Sequence, residues 1–235
     1  MSKPAIVWLR RDLRLSDQAA FAAAAAGGRP VVPVYVLDDE TPGERRLGGA
    51  SRWWLHNSLG SLSDTLSDKG SRLILRRGRA LDVLQELIAQ TGAGAVFWSR
   101  QYDPDAVARD SAVKSALKES GITARSFGGH LMFEPWTVET KTGGYYKVYT
   151  PFWRNVKDRD VEAPLGAPAQ ITAPQVWPDS DDLADWQMGA QMQRGADVVR
   201  PFVQLGEKAA QSRLGAFLAH KVADYTTTRD LPAVD

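Results

Sequence analysis

Charged side chains follow the first apolar segment of the chain. AIVWL (5–9) runs directly into RRDLRLSD (10–17), which begins with Arg10 and Arg11. A dinucleotide-binding sheet places glycines at this point, because its backbone has to approach a pyrophosphate. Arginines can instead hold an acidic or π-rich ligand. They can also pair with Asp12 and Asp17 and simply fix the loop, and both interpretations stay open.

Two further segments place polar residues after or beside predicted strands. Arg52 lies in SRWWLH (51–56), at the start of a predicted helix, where the helix dipole does not favour a cation. Contact with an acidic or π-rich ligand and a solvated first turn are both compatible with that position. Gln101 lies in RQYDP (100–104), where Asp103 is expected to cap the next helix.

Several classes of site are excluded or disfavoured. The chain contains no GxGxxG and no GxxxxGK[ST] motif, which argues against an ordinary NAD site and a phosphate-loop NTPase. It has no cysteine, so disulfides, thiolate metal sites and a cysteine nucleophile are excluded. The three histidines lie far apart without ligand spacing, so no metal site is predicted. A net charge of +1 neither supports nor excludes a nucleic-acid partner.

The N-terminal half alternates short apolar runs with amphipathic segments. Predicted strands cover 5–9, 31–37, 72–76, 95–99 and 123–127. Predicted helices between them cover 18–26 (capped by Asp17), 52–69 (capped by Ser51), 80–90 and 103–120. This order predicts an α/β fold with a doubly wound, five-stranded parallel sheet of Rossmann-like type. A ligand would bind beyond the carboxyl ends of the strands, where the strand order reverses.

The C-terminal half lacks the alternation of strands and helices that marks the N-terminal half. A short helix is predicted over 150–158, followed by a proline-containing connector over 159–205. A further helix over 206–225 carries an apolar face that needs a partner. We therefore expect an α/β domain at 1–130, a closing segment and interdomain linker at 131–205, and the first helix of an all-helical domain at 206–235. No apolar stretch is long enough to cross a bilayer, and early charges interrupt any signal-peptide core, so a cytoplasmic location is expected.

Three segments together resemble the DNA photolyase/cryptochrome family. They are VWLRRDLRLSDQAAF (7–21), YYKVYTPFWRNV (145–156) and GEKAAQSRLGAFLAHKVADYTTTRDLPAVD (206–235), in the family's order and spacing. The resemblance covers essentially the whole chain. It implies an antenna domain, a linker and the beginning of a helical domain that holds FAD. It also implies that the family continues past Asp235, so this chain is expected to be truncated and inactive alone.

The resemblance assigns roles to particular residues. Tyr225 matches a tyrosine that contacts FAD, and no catalytic residue falls within this chain. The antenna crevice is implied to be lined by Arg10, Arg11, Asp38, Arg52 and Gln101. The Asn-Glu pair of folate-binding members is replaced by Asp105 and Ala106, which disfavours a folate antenna. A deazaflavin, a flavin or no antenna at all remain open.

The expected function follows from that resemblance. The chain would be the N-terminal part of a deoxyribodipyrimidine photolyase, a lyase that uses light and FAD to split cyclobutane pyrimidine dimers. Damaged DNA would bind through the helical domain, with the dimer flipped out of the duplex, and the full-length protein would be a monomer. One alternative is a cryptochrome-type blue-light photoreceptor. A second is a stand-alone α/β nucleotide-binding protein of another family.

Overall fold

The computed structural model describes residues 2–41 and 46–231. The strands found there are β1 (Ala5–Leu9), β2 (Val31–Leu37), β3 (Ile74–Arg77), β4 (Ala95–Ser99) and β5 (Thr123–Phe127). The first four α-helices are α1 (Ala19–Ala25), α2 (Gly49–Ser67), α3 (Ala80–Thr91) and α4 (Pro104–Glu119). The later ones are α5 (Tyr149–Val156), α6 (Arg194–Val199), α7 (Glu207–His220) and α8 (Tyr225–Thr228).

All five strands are parallel and follow the order β3-β2-β1-β4-β5. This confirms the predicted α/β class and the doubly wound parallel sheet. Every residue of β1, β2 and β4 is buried, whereas β5 at the edge is partly exposed. Strands covered on both faces are apolar throughout, which explains the uninterrupted runs of Val, Ile and Trp in the sequence. The strand order reverses between β1 and β4, and this point fixes where a ligand crevice is expected.

The main core lies between one face of the sheet and helices α3 and α4. Ile6, Val34 and Val96 point to this side from neighbouring strands, and none of them has any exposed surface. Leu84 of α3 and Leu117 of α4 pack against them and are also fully buried. Each such side chain stabilises the fold by about 1.5–3 kcal/mol through removal from water. This packing fixes α4 relative to β1 and β4.

The chain divides into two compact units, 1–46 with 66–182, and 47–65 with 183–235. The first unit contains the sheet with α1, α3, α4 and α5. The second contains most of α2 together with α6, α7 and α8. The three-part division at 1–130, 131–205 and 206–235 stays a prediction, and residues 232–235 of its last part lie outside the described residues.

The second unit depends on close approaches between α2 and the later segment. Gly206, at the start of α7, has φ 90°, and a Cβ there would lie 2.0 Å from Ser61 Oγ. Only glycine fits this position, on both backbone and space grounds. A Cβ on Gly189 would lie 3.1 Å from the ring of Trp53. Along α7 itself no residue is buried, and Leu214 and Leu218 are 57% and 56% exposed.

Several predicted boundaries are corrected by the structure. The predicted cap Asp17 does not cap α1; it has φ 48°, and the side chain of Gln18 accepts from Phe21 N instead. Strand β3 begins two residues later than predicted, and α2 begins at Gly49, ahead of the predicted cap Ser51. The predicted helix 206–225 ends at His220 and is followed by a 3₁₀ turn and α8.

The connector 159–205 is also more structured than predicted. Its second part contains α6 and three 3₁₀ turns. Its first part is bound along the first unit by backbone hydrogen bonds, from Val31 N to Thr172 O at 2.9 Å and from Asp181 N to Leu75 O at 2.8 Å. These bonds satisfy polar groups that a free linker would leave to water. Among the described residues, no helix is both long and apolar enough to cross a membrane.

Asp38 joins the end of β2 to the beginning of α3. Its carboxylate accepts hydrogen bonds from Ala80 N at 3.0 Å, from Thr41 N at 2.8 Å and from the Thr41 hydroxyl at 2.5 Å. Ala80 is the first residue of α3, so Asp38 caps that helix from a distant point in the sequence. Burial alone would raise the pKa of Asp38, but these hydrogen bonds outweigh burial and hold the pKa below its ordinary value.

Replacement of Asp38 by Asn is expected to reduce the free energy of unfolding by about 0.5–1 kcal/mol at pH 7. The folded pKa lies below the ordinary value of 3.8, so the carboxylate stabilises the fold fully above that value and loses its effect as the pH falls below it. Urea unfolding between pH 3 and pH 7 measures the difference. Asp64→Asn, an exposed position in α2, is the control and is expected to change little. An undiminished gap between Asp38→Asn and the parent chain at pH 3 would contradict the capping role.

Candidate functional site

A buried ion pair ties the end of β1 to α4. One terminal nitrogen of Arg10 donates to both carboxylate oxygens of Asp110, at 2.7 and 2.8 Å. The other donates to Ser99 O at the end of β4. The side chains of Arg10 and Asp110 are only 8% and 12% exposed. The interpretation in which the loop arginines pair with Asp12 and Asp17 therefore does not hold for the side chain of Arg10, whose carboxylate partner lies on α4.

A second arginine shares the same carboxylate. Arg109 donates to Asp110 Oδ1 at 2.9–3.0 Å through two of its nitrogens. Both guanidinium groups also lie over the Trp8 ring, at 4.3 Å for Arg10 and 5.1 Å for Arg109. Burial lowers the pKa of Arg10, and the attraction of Asp110 compensates only in part. The ring face supplies further stabilisation for the two cations.

The loops after β1 and β4 are held by the same network. Arg109 donates to Gln101 Oε1 at 3.1 Å, and Gln101 is buried. Asp12 accepts from Arg10 N at 2.9 Å and from Gln18 Nε2 at 2.7 Å. Arg10 and Gln101 thus position the two loops at the switch point, because the Arg10 guanidinium and the Gln101 amide oxygen are already bonded within the protein.

The exposed rim of the crevice carries a different set of charges. Arg11 pairs with Asp103 at 2.9 Å, with both side chains more than half exposed. Asp103 occupies the cap position of α4 without a side-chain capping bond, so its predicted capping role is wrong. Arg14 donates to Asp17 O at 2.9 Å and Gly129 O at 3.3 Å. This rim is accessible to a ligand.

His130 lies within the electrostatic field of this rim. Burial lowers the pKa of His130, and the positive charges of Arg14, Arg10 and Arg11 lower it further, while Asp12 opposes them. This lowering of the pKa favours the neutral imidazole, which can both donate and accept a hydrogen bond.

A pocket of about 220 Å³ opens between α4 and the end of β5. Its lining combines aromatic, cationic and hydroxyl groups: Trp98, Arg100, Gln101, Tyr102, Val107, Asp110, Ser111, Lys114, Ser126 and Trp136. One wall is fixed by Glu134, which pairs with Arg100 and accepts from the Tyr102 hydroxyl at 2.8 Å. The Arg100 guanidinium lies 5.0 Å from the centre of the exposed Trp136 ring.

A lysine and a buried indole contribute the next polar groups of this α4–β5 pocket. Lys114 donates to the Ser126 hydroxyl at 3.3 Å, and burial, with the charges of Lys118 and Arg100, lowers its pKa. Trp98 Nε1 is buried and has no hydrogen-bond partner within the described part of the chain. The pocket is smaller than the roughly 300 Å³ at which cofactor-sized sites begin. It can accept one ring or an anionic tail.

The remaining predicted residues lie elsewhere in the structure. Asp38 bonds to the start of α3, as described above. Arg52 belongs to the second unit, where its Nε donates to Leu47 O at 3.0 Å. Tyr225 belongs to the same unit, is 50% exposed and meets Phe217 edge-on at 5.7 Å. Roles for these residues in binding an antenna or FAD stay predictions.

Asp110 and Arg109 were missed by the sequence interpretation. The helical spacing of α4 could have indicated Asp110, because Asp110 lies on the buried face of that helix with Ala106, Val113 and Leu117. A carboxylate on such a face requires a buried cationic partner.

Comparison with known proteins identifies the family. The family model described as DNA photolyase matches residues 5–170. The chain belongs to the photolyase/cryptochrome family. It is 44% identical over 234 residues to the deoxyribodipyrimidine photo-lyase of Agrobacterium fabrum, covering 98% of this chain and 48% of that protein. It is 38% identical over 169 residues to cryptochrome-1 of Arabidopsis thaliana, covering 71% of this chain and 25% of that protein.

A solved structure supports the same family. A bacterial class III photolyase from Agrobacterium tumefaciens matches with a TM-score of 0.76 and 48% sequence identity, over 80% of this chain and 39% of that one. The chain spans about half the length of the Agrobacterium fabrum photolyase and about a quarter of the length of the Arabidopsis cryptochrome. Membership of this family is incompatible with the alternative of a stand-alone nucleotide-binding protein from another family.

Removal of the buried charge at Asp110 is expected to be far more costly than removal of an exposed one. Asp110→Asn leaves two guanidinium groups buried without the carboxylate to which both of them bond, which should reduce the free energy of unfolding by about 3–5 kcal/mol. Asp103→Asn, which breaks the exposed pair with Arg11, is the matched control and should cost less than about 1 kcal/mol. Urea unfolding at pH 7 measures both, and equal losses would contradict the organising role of Asp110.

Proposed function

We propose that this chain is the N-terminal part of a deoxyribodipyrimidine photolyase that repairs cyclobutane pyrimidine dimers in DNA with light and FAD. The observation that carries the proposal is the 44% identity to a photolyase along 98% of the chain, which includes both structural units. FAD, when bound, supplies the electron that splits the dimer. Damaged DNA is the proposed partner of the complete protein, which we expect to be a cytoplasmic monomer.

A cryptochrome is the second candidate function. It is supported by the 38% identity to a plant cryptochrome over 71% of the chain. The two candidates share cofactor and fold and differ in output, because a cryptochrome signals in response to blue light and does not repair DNA. The photolyase is favoured because its identity is higher, 44% along 98% of the chain, against 32% for cryptochrome-2 of Arabidopsis thaliana along 96% of the chain.

Tyr225 is the residue of this chain that we propose for contact with FAD. Its ring is fixed edge-on against Phe217 within the second unit, and half of its surface remains exposed. An exposed and oriented aromatic side chain is suited to pack against part of a cofactor. One side chain does not form a pocket, so the rest of the FAD site must come from other parts of the complete protein.

We propose the crevice at the carboxyl ends of β1 and β4 as the antenna site. The residues proposed to face the chromophore differ in part from those that the family resemblance implies. The exposed rim, with Arg11 and His130, would face a chromophore, and the α4–β5 pocket would take one ring or an acidic tail. Arg10 and Gln101 would act indirectly, by holding the loops in position. A deazaflavin or a flavin is favoured over a folate, because Asp105 and Ala106 replace the Asn-Glu pair of folate-binding members.

Purified alone, the 235-residue chain is expected not to retain FAD. The physical reason is that Tyr225 contributes a single contact, whereas retention through purification requires a largely enclosed cofactor. The absorption spectrum of the purified chain measures this directly. Stoichiometric oxidised flavin in that spectrum would contradict the proposal that most of the FAD site is formed by other parts of the complete protein.

The complete protein is expected to repair a thymine dimer in a short single-stranded oligonucleotide only under blue or near-UV light. Dimer loss, followed by chromatography, should be absent in the dark and should stop when FAD is removed. Tyr225→Ala should weaken FAD retention, whereas Ser212→Ala, at an exposed polar position on α7, should not. FAD binding without any light-dependent repair would favour the cryptochrome and overturn the photolyase proposal.

A further inference from the structure

A second pocket lies at the opposite edge of the sheet, where the strands begin. It has a volume of about 340 Å³ and is lined by Ser2, Lys3, Arg29, Gly94, Phe97, Thr123 and Arg125. Lys3 precedes β1, Arg29 precedes β2, and Thr123 opens β5. In a parallel sheet all these strand starts meet at one edge. This amino-edge pocket is therefore separate from the crevice at the carboxyl ends.

The amino-edge pocket concentrates positive charge. Lys3, Arg29 and Arg125 line it, and none of its described lining residues is acidic. Within the described part of the chain, these three cations form no salt bridge. At the other edge, by contrast, Arg10 and Arg11 are each matched by a carboxylate. The chain as a whole carries a net charge of only +1, so three unmatched cations in one pocket are a local excess.

The two arginines of this pocket are oriented by the same aromatic ring. The guanidinium of Arg29 lies 6.0 Å from the centre of Phe97, and that of Arg125 lies 5.9 Å from it. Arg125 is paired with Phe97 in the β4–β5 register, and it also contacts the Phe127 ring at 4.8 Å. Phe97 is 4% exposed, so it forms a fixed floor. Guanidinium groups held in this way lose less freedom when they bind a ligand.

Lys3 is brought to the same pocket by a close backbone approach. A Cβ on Gly94 would lie 3.1 Å from Cβ and Cδ of Lys3, which is tight contact. The absence of a side chain at Gly94 thus lets the stem of Lys3 lie along the start of β4. Ser2 and Thr123 add hydroxyl groups that can donate hydrogen bonds.

We propose that the amino-edge pocket binds the phosphate or pyrophosphate group of a small molecule of about mononucleotide size. Arginine forks match the oxygens of phosphate and bind them in pairs, and lysine binds phosphate as a point charge. A phosphate carries close to two negative charges at neutral pH, which would neutralise most of the local excess. The pocket volume lies within the range of small-molecule sites. This site is independent of the proposed photochemistry.

Isothermal titration of the full chain with pyrophosphate and with ADP at low salt tests the proposal. Arg29→Gln and Arg125→Gln should each weaken binding by about tenfold or more, because each removes a charge-assisted hydrogen bond. Lys3→Gln, which keeps most of the stem, should weaken it as well. Arg213→Gln, an exposed arginine outside the pocket, is the matched control and should bind as the parent chain does. Thermal unfolding without ligand should be similar for all the variants.

The proposal predicts binding that weakens as sodium chloride is added, since the interaction is ionic. Absence of binding for both probes at millimolar concentration would overturn it. Equal binding by the pocket variants and the Arg213→Gln control would overturn it too. A third titration, after those with pyrophosphate and ADP, adds a short undamaged duplex DNA as competitor. Displacement of ADP by DNA, lost in the same arginine variants, would identify a nucleic-acid backbone as the occupant in place of a small molecule.

Discussion

The arrangement of the first unit depends on one buried ion pair, between Arg10 and Asp110. Two charges taken out of water are costly unless each is matched and hydrogen-bonded. Here a single terminal nitrogen of Arg10 reaches both oxygens of Asp110, and the other bonds to the backbone at Ser99. The pair therefore joins β1, β4 and α4 at the point where the strand order reverses. Any ligand at the carboxyl edge meets a surface whose position this pair determines.

The two edges of the sheet distribute charge in opposite ways. At the carboxyl edge three arginines are each matched by a carboxylate, Arg10 by Asp110, Arg11 by Asp103 and Arg100 by Glu134. Such matching fixes loop geometry and leaves aromatic and hydroxyl groups for recognition. At the amino edge the cations of the pocket have no described acidic partner, which is the arrangement expected for an anion site. The same parallel topology thus creates two surfaces of different chemistry.

Much of the fold was predictable from the sequence, for a definite physical reason. Strands buried on both faces must be apolar throughout, so the segments AIVWL and AVFWS predict β1 and β4 directly. The helices between them carry apolar stripes at helical spacing, as in the buried Leu59, Leu62 and Leu66 of α2. Boundaries were less predictable, because capping depends on side chains such as Gln18 and Asp38, whose partners are set by tertiary contacts.

The site was less predictable than the fold. Arg10 and Gln101 were correctly placed beside the switch point, but their hydrogen-bond partners were not foreseen. Arg10 and Asp110 are 100 residues apart, and local spacing does not reveal a pair at that separation. The amino-edge pocket was missed for the same reason, since its cations lie before β1, before β2 and within β5.

A double-mutant cycle on Arg10→Gln and Asp110→Asn tests the central claim most directly. The free energy of unfolding of the parent chain, both single variants and the double variant gives the coupling between the two side chains. We predict a coupling above about 2 kcal/mol, against less than about 1 kcal/mol for the exposed pair Arg11–Asp103. A coupling for Arg10 and Asp110 no larger than that of the exposed pair would contradict the account.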